Sequence, residues 1–280
     1  MNLLNLGCGN TFHKDWINID FVSNSEHVQA HNLLDGIPFQ SQSMDVIYHS
    51  HVLEHFSKTD GVKFINECFR VLKPQGVIRI AVPDLETIAK EYLKNIEMAT
   101  SGQTEAQQNY NWIVLELLDQ MVRNESGGNM KTYLCQDTIP NESYVFSRIG
   151  MEGKKIRKDF LSRPQNLQNT KIKSSSFLKK VKQLVRKIWN IIKVKQPQPK
   201  LTDREKKAIR IGQFRLGGEI HQWMYDRYSL SELLKTVGFQ QITICSAYKS
   251  NIPDWDKYKL DTIDGEIRKP DSLFIEAIKP

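Results

Sequence analysis

A chain of 280 residues with 40% apolar and 25% charged residues is long enough for one substantial core plus an inserted segment, and too apolar to be disordered. The net charge of +7 is local: residues 171–200 hold ten Lys or Arg and no acid, so the other 250 residues are net −3, which argues against a nucleic-acid-binding surface spread over the whole protein. The first twenty residues alternate like a strand and lack the apolar run of a signal peptide, and no later run is long and apolar enough to span a bilayer. Cys8, Cys68, Cys135 and Cys245 lie too far apart for a C-x-x-C zinc motif or a disulfide framework, so a reducing cytoplasmic setting is expected.

In chain order, Asn2 to Leu6 is a short strand that ends in Gly7-Cys8-Gly9, and Trp16 to Asp20 is a second strand that ends in an acid. Val28 to Leu34 reads as a third strand and Met44 to His49 as a fourth. Apolar residues at 62, 65, 69 and 72 give helical spacing over Gly61 to Leu72, and Lys73-Pro74-Gln75-Gly76 stops that helix before a fifth strand over Gly76 to Val82. Strand signals then vanish over residues 85–217, where Leu85 to Met98 and Glu105 to Val122 read as helices and 124–170 as irregular. Ser229-x-x-Glu232 reads as a capping box for a helix that ends at Gly238, followed by closing strands over Ile242 to Cys245 and Leu273 to Ala277. The expectation is therefore an α/β core formed by residues 1–84 and 218–280, with a large helical insertion at 85–217 that contributes to the substrate site.

A strand running directly into Gly-x-Gly lets the backbone approach a ligand closely, and an acid at the end of the next strand can accept both hydroxyl protons of a ribose. Leu4-Asn5-Leu6-Gly7-Cys8-Gly9, Trp16-Ile17-Asn18-Ile19-Asp20, Ile37-Pro38-Phe39 with Met44-Asp45-Val46-Ile47, Val52-Leu53-Glu54-His55, and Arg70-Val71-Leu72-Lys73-Pro74-Gln75-Gly76 follow one another in this order. In these blocks the chain resembles the type 11 family of class I S-adenosylmethionine-dependent methyltransferases. The resemblance implies a Rossmann-like, mainly parallel seven-stranded sheet with an antiparallel last strand. It also implies a cofactor site of Asn5, Gly7, Cys8, Gly9, Asp20, Asn32, Leu33 and His49, with the glycine loop at the methionine end, Asp20 at the ribose, and Asn32 and Leu33 at the adenine. Asn5 stands where many relatives have Asp or Glu, Asn32 where they often have Asp, and Gln75 where they often have Gly. A nicotinamide dinucleotide fits less well, because Asn10, Thr11 and Phe12 follow Gly9 in place of the longer G-x-G-x-x-G turn, and the loop to Trp16 is too short for a crossover helix.

Methyl transfer to a hydroxyl calls for a base beside the acceptor, and histidine is the natural choice. His221 and His51 are the candidates. His221 lies where the insertion rejoins the core, in a Gly218-to-Tyr228 block similar to that of methyltransferases of bacterial glycan and lipopolysaccharide assembly, and His51 lies nearer the expected methyl position. Trp223 and Tyr225 offer flat surfaces to a sugar, and Asp84, which closes the fifth strand, joins them as a candidate substrate-binding residue. His49, His51, Glu54 and His55 sit at a strand-to-loop junction that gives ligands no fixed face, so no metal is expected. The fourth strand ends in Tyr48-His49-Ser50-His51, which is neither the Pro-Pro-aromatic motif of adenine or cytosine amino-methylation nor the Pro-Cys nucleophile of cytosine C5 enzymes. Nucleic acid is therefore not the expected acceptor, and a sugar or glycan hydroxyl is. Two other readings stand beside this one: a non-catalytic S-adenosylmethionine-binding protein, and an RNA methyltransferase that uses the basic 171–200 segment.

Within that segment, Phe177, Val181, Leu184, Ile188 and Ile191 form one apolar stripe, and Lys179, Lys182, Arg186 and Lys193 fall on other faces. This is the pattern of a basic amphipathic helix over 176–195 that either lies peripherally on an anionic membrane, here the inner face, or packs its stripe on the core. Gln196-Pro197-Gln198-Pro199 after it reads as an extended linker. Oligomeric state has no signature in this sequence.

Overall fold

In the computed structural model, residues 1–162 and 201–280 are described; the helix expected over 176–195 and the linker after it lie outside them. The core is a seven-stranded sheet of β1 (Leu3–Leu6), β2 (Ile17–Asp20), β3 (Val28–Ala30), β4 (Met44–Ser50), β5 (Leu72–Pro83), β6 (Gln240–Cys245) and β9 (Ser272–Ile278), in the order β3-β2-β1-β4-β5-β9-β6. The first five strands pair in parallel, and β9 runs antiparallel between β5 and β6. This is the Rossmann-like sheet with an antiparallel last strand that the resemblance implies. The order reverses at β1 and β4, and in open parallel sheets ligands bind outside the carboxyl ends of the strands at such a switch point.

Strand alternation assigns each face its cover. Leu4, Leu6, Ile19, Ile47, Ile78, Ile80 and Ile275 pack under α1 (Lys58–Val71) and α7 (Arg227–Val237). α1 is capped by Ser57, whose hydroxyl accepts from the Asp60 amide, and it buries Phe64, Ile65, Cys68 and Val71 at helical spacing. On the other face the short β1–β2 connection leaves no room for a crossover helix. There Leu3, Trp16, Val46 and Tyr48 are covered by Ile252, Trp255, Tyr258 and Leu260, which come from a loop carrying the short helix α8 (Trp255–Tyr258). The guanidinium of Arg79 crosses beneath that loop, fully buried, with Nε 2.8 Å from Asp261 Oδ2 and Nη1 2.7 Å from Glu276 Oε1.

Several boundaries differ from the sequence reading. The third strand stops at Ala30, because the Asn32 side chain caps a 3-10 turn over Leu33–Asp35 by accepting from the Leu34 amide. β5 begins at Leu72, and the expected stop at 73–76 is a bend inside it at Gln75 (φ 64), with a register shift against β4. α7 starts one turn earlier than expected: its capping box is Asp226 with Ser229, not Ser229 with Glu232. A hairpin of β7 (Thr262–Ile263) and β8 (Glu266–Ile267), unforeseen, turns on Asp264 and Gly265, both with positive φ.

The insertion contains α2 (Leu85–Thr100), α3 (Thr104–Val122), α4 (Gly128–Leu134), α5 (Glu142–Leu161) and α6 (Asp203–Arg215). α4 and α5 occupy the stretch expected to be irregular. Asp119 of α3 accepts from the Asn129 and Met130 amides at the start of α4, and Trp112, Leu134, Ile139 and Val145 form a separate small core. α5 is broken at Gly150 (φ 57), where a Cβ would fall 2.5 Å from Pro270 Cδ. The glycine thus lets the helix seat against the loop before β9, which brings Met151, Glu152 and Lys155 over the switch point. Among the described residues, no helix is long and apolar enough to cross a membrane.

Candidate active site

Beyond the carboxyl end of β1, Gly7 and Gly9 both adopt left-handed φ (62 and 53). At Gly7 a Cβ would lie 2.3 Å from Val52 Cγ2, so the residue must be glycine for the loop to pack. The Gly9 amide donates to Asp20 Oδ2 at 2.7 Å and the Cys8 amide to Ile19 O at 3.1 Å, which ties the loop to the end of β2. Asn5 is buried, and its amide hydrogens go to Asn18 Oδ1 and Thr11 O, so what it offers a ligand is its amide oxygen. Burial, with the Asp20 charge beside it, pushes the Cys8 thiol up to about 12 and keeps it neutral.

Asn5, Gly7, Cys8 and Gly9 line a cavity of about 420 Å³ together with Thr11, Tyr48, Ser50, His51, Glu152, Arg268 and Lys269. A second cavity, about 390 Å³, is bounded by the insertion through Gln120, Arg123, Met130, Lys131, Leu134 and Ile149. His51, Glu152 and Lys269 belong to the walls of both. Lys269 pairs with Glu152 at 2.9 Å across this junction. A wider hollow of about 940 Å³ in the 248–257 loop carries none of the expected site residues.

His51 follows β4 in a left-handed conformation (φ 55), held by the hydrogen bond its backbone amide donates to Ala81 O. Its Nε2 lies 2.8 Å from Ser272 Oγ, and its Nδ1 lies 3.2 Å from Glu54 Oε1, off the line of a good hydrogen bond. Burial, with Lys269 and Arg268 nearby, holds the imidazole well below its ordinary range, so the ring is neutral. Glu54 is fully buried, and desolvation raises its carboxyl to about 8. Behind it, His221 is 4% exposed, with Nε2 4.0 Å from Glu54 Oε1, and lines neither cavity.

The other expected site residues separate from this junction. His49 points into the core against Phe64, fully buried, and desolvation lowers its imidazole to about 3; it lines neither cavity. The Asn32 oxygen is engaged in its own cap, and Leu33 packs partly buried on the main core. Asp84 caps α2, accepting from the Glu86 amide and the Thr87 hydroxyl. Tyr225 is core, its hydroxyl near Gly61, and Trp223 lies under the Lys58 ammonium at 4.7 Å. Asp84, Trp223 and Tyr225 line neither cavity, so the substrate-binding roles expected of them do not coincide with the space next to the glycine loop. Glu152, Arg268 and Lys269, which the sequence reading missed, do line it, and Asp271, also missed, lines the cavity under the insertion. The Lys269-Pro270-Asp271 turn before the last strand was the available signal.

A family model for a methyltransferase domain matches residues 17–80. The chain is 30% identical over 105 residues to a Mycolicibacterium smegmatis protein described as "Probable S-adenosylmethionine-dependent methyltransferase", a match that spans 31% of this chain and 40% of that protein. The chain thus covers less than half the length of that relative. Among solved structures, a SAM-dependent methyltransferase from Archaeoglobus fulgidus aligns at 11% identity and TM-score 0.37, over 99% of this chain and 86% of that one. Haemonchus contortus phosphoethanolamine N-methyltransferase 2, solved with S-adenosyl-L-methionine, aligns at 11% identity and TM-score 0.36, over 100% and 49%. The matched stretch from β2 into β5 is similar to that of a methyltransferase domain, and S-adenosylmethionine is the cofactor of the class it resembles.

Proposed function

We propose that the chain transfers the methyl group of S-adenosylmethionine to a hydroxyl of a sugar or glycan intermediate, with His51 as the base. The observation that carries this reading is the shared wall. The cavity floored by the glycine loop and the cavity under the insertion meet at His51, Glu152 and Lys269, where a methyl donor on one side would face an acceptor on the other. The Gly7–Gly9 loop, the Asn5 amide oxygen and Asp20 are the groups that would hold the cofactor, whose sulfonium supplies an already activated methyl group.

With the proton on Nδ1, the Nε2 lone pair of His51 can take the acceptor's hydroxyl proton in exchange for its contact with Ser272. Above about pH 8, where its carboxyl ionises, Glu54 would balance the charge on the ring. The mixed lining of the acceptor cavity, with Arg123, Lys131, Glu152, Glu219 and Asp271, supplies both donors and acceptors for a polyhydroxylated ligand. Incubation with S-adenosylmethionine and a panel of free, nucleotide-linked and lipid-linked sugars tests the reading: S-adenosylhomocysteine release is expected with at least one sugar class. Release only with amine or RNA acceptors would overturn the hydroxyl assignment.

Asp20 offers the sharpest test of the cofactor half. Its carboxylate holds the loop through Gly9, and in the proposed reading it also accepts from the ribose, so Asp20→Ala is expected to weaken S-adenosylmethionine binding by about 1.5–3 kcal/mol, the usual loss for a hydrogen bond to a charged group. Isothermal titration on folded variant measures it. Unchanged affinity, or tighter binding of NAD by the unmodified chain, would remove this site assignment.

A further inference from the structure

We propose that Glu54, His55 and His221 form a binding site for a first-row divalent cation, with zinc the best match to its two-imidazole, one-carboxylate ligand set. One ligand atom from each of the three lies within 4.8 Å of the other two. Glu54 and His55 come from the turn after β4 and His221 from the segment before α7, so the site joins the start of the core to the point where the insertion rejoins it. Tetrahedral zinc sets its ligand atoms about 3.4 Å apart at bond lengths near 2.1 Å. The Glu54–His221 approach, now 4.0 Å, needs only a small inward turn of two side chains.

Three observations point to a ligand rather than to simple packing. Both carboxylate oxygens of Glu54 are buried without a hydrogen-bond partner among the described residues, an arrangement that folded proteins rarely leave uncompensated. No Lys or Arg among the described residues lies within ion-pair distance of Glu54, so a carboxylate there lacks the cation that a buried charge requires. The tautomer of His55 is set correctly for a ligand. Its Nδ1 sits 3.1 Å from the Ile220 carbonyl, which can only accept, so the proton is on Nδ1 and Nε2 presents its lone pair. A metal-bound histidine is oriented in just this way by its second nitrogen.

The same carboxylate oxygen of Glu54, Oε1, is the one that approaches both His221 Nε2 and His51 Nδ1, so the site would also stiffen the residue assigned above as base. The inference does not depend on that assignment. It is tested on tag-free full-length chain stripped with chelator and titrated with Co²⁺ alone. One equivalent should bind and give the strong visible d–d absorption of a tetrahedral site, and Zn²⁺ should displace it. Glu54→Gln and His55→Gln, each checked for native circular dichroism and S-adenosylhomocysteine binding, should each weaken Co²⁺ binding at least tenfold. Absence of the absorption in the unmodified chain, or equal binding in both folded variants, would overturn the site. Methyl transfer by the metal-free protein is a separate readout, so failure of the cation site and failure of the methyltransferase reading are distinguishable.

Discussion

Arg79→Met is expected to destabilise the chain by about 3–5 kcal/mol, the cost of breaking a buried ion network by removing one member. Arg79 has no exposure, and it answers two carboxylates at once, Asp261 and Glu276, while donating to the carbonyls of Lys249 and Ser246. Its guanidinium also lies 4.5 Å from the Trp255 ring centre. Methionine fills most of the volume but leaves both acids buried without a cation. A shift of the urea midpoint to lower concentration with an unchanged slope would show the effect as lost stability. Arg79→Lys should recover only part of it, because an ammonium cannot reproduce the planar fork that spans both acids. Midpoints within experimental scatter of the unmodified chain would mean that the acids are neutral and the network contributes little.

The second large effect falls on turnover. His51→Asn keeps a side chain that tolerates the left-handed backbone at this position (φ 55) while removing the base, so kcat is expected to fall by about 10²–10⁴-fold with cofactor affinity changed less than about twofold. That split, a loss in kcat without a loss in cofactor binding, separates a base from a residue that merely shapes the pocket. His221→Ala is the informative comparison. The ring of His221 lies behind Glu54 and touches neither cavity, so its removal should cost less in kcat than removal of His51. If His221→Ala abolishes turnover while His51→Asn is active, the role of base returns to the residue where the insertion rejoins the core.

The parts of the fold that the sequence predicts well are those whose cause is local. Apolar alternation marks β1, β2, β4 and β9, and helical spacing with a stop marks α1. The glycine pair and Asp20 declare themselves because a close backbone approach and a strand-end acid both leave residue-type signatures. Elsewhere two local rules competed. Asn32 and Asp226 are both good caps, and each moved a boundary: the first cut β3 short, and the second started α7 three residues before Ser229. α5 was hidden by Gly150 and Gly153, residues that argue against a helix until the close passage of Pro270 is known. The cavity residues Glu152 and Lys269 could not be read at all, since their meeting depends on two segments more than a hundred residues apart. Trp223 and Tyr225 meet a different limit: an aromatic that stacks on a sugar and one that fills a core look the same in sequence.

The aromatic loop that covers the second face of the sheet sets an order of events during synthesis. Trp255 and Tyr258 pack edge-on against Trp16, and 213 residues separate Tyr48 from the Asp261 carboxylate that accepts its hydroxyl's hydrogen bond. A nascent chain that has finished its first five strands holds nearly every recognisable motif, yet one whole side of its sheet is bare, with Leu3, Trp16, Val46 and Tyr48 open to water. Contacts of such long span are slow to form and leave apolar surface exposed while they wait. The segment richest in sequence signature is therefore the one least able to stand alone, and the ribosome must deliver the loop around Trp255 before that surface ceases to be a liability for aggregation.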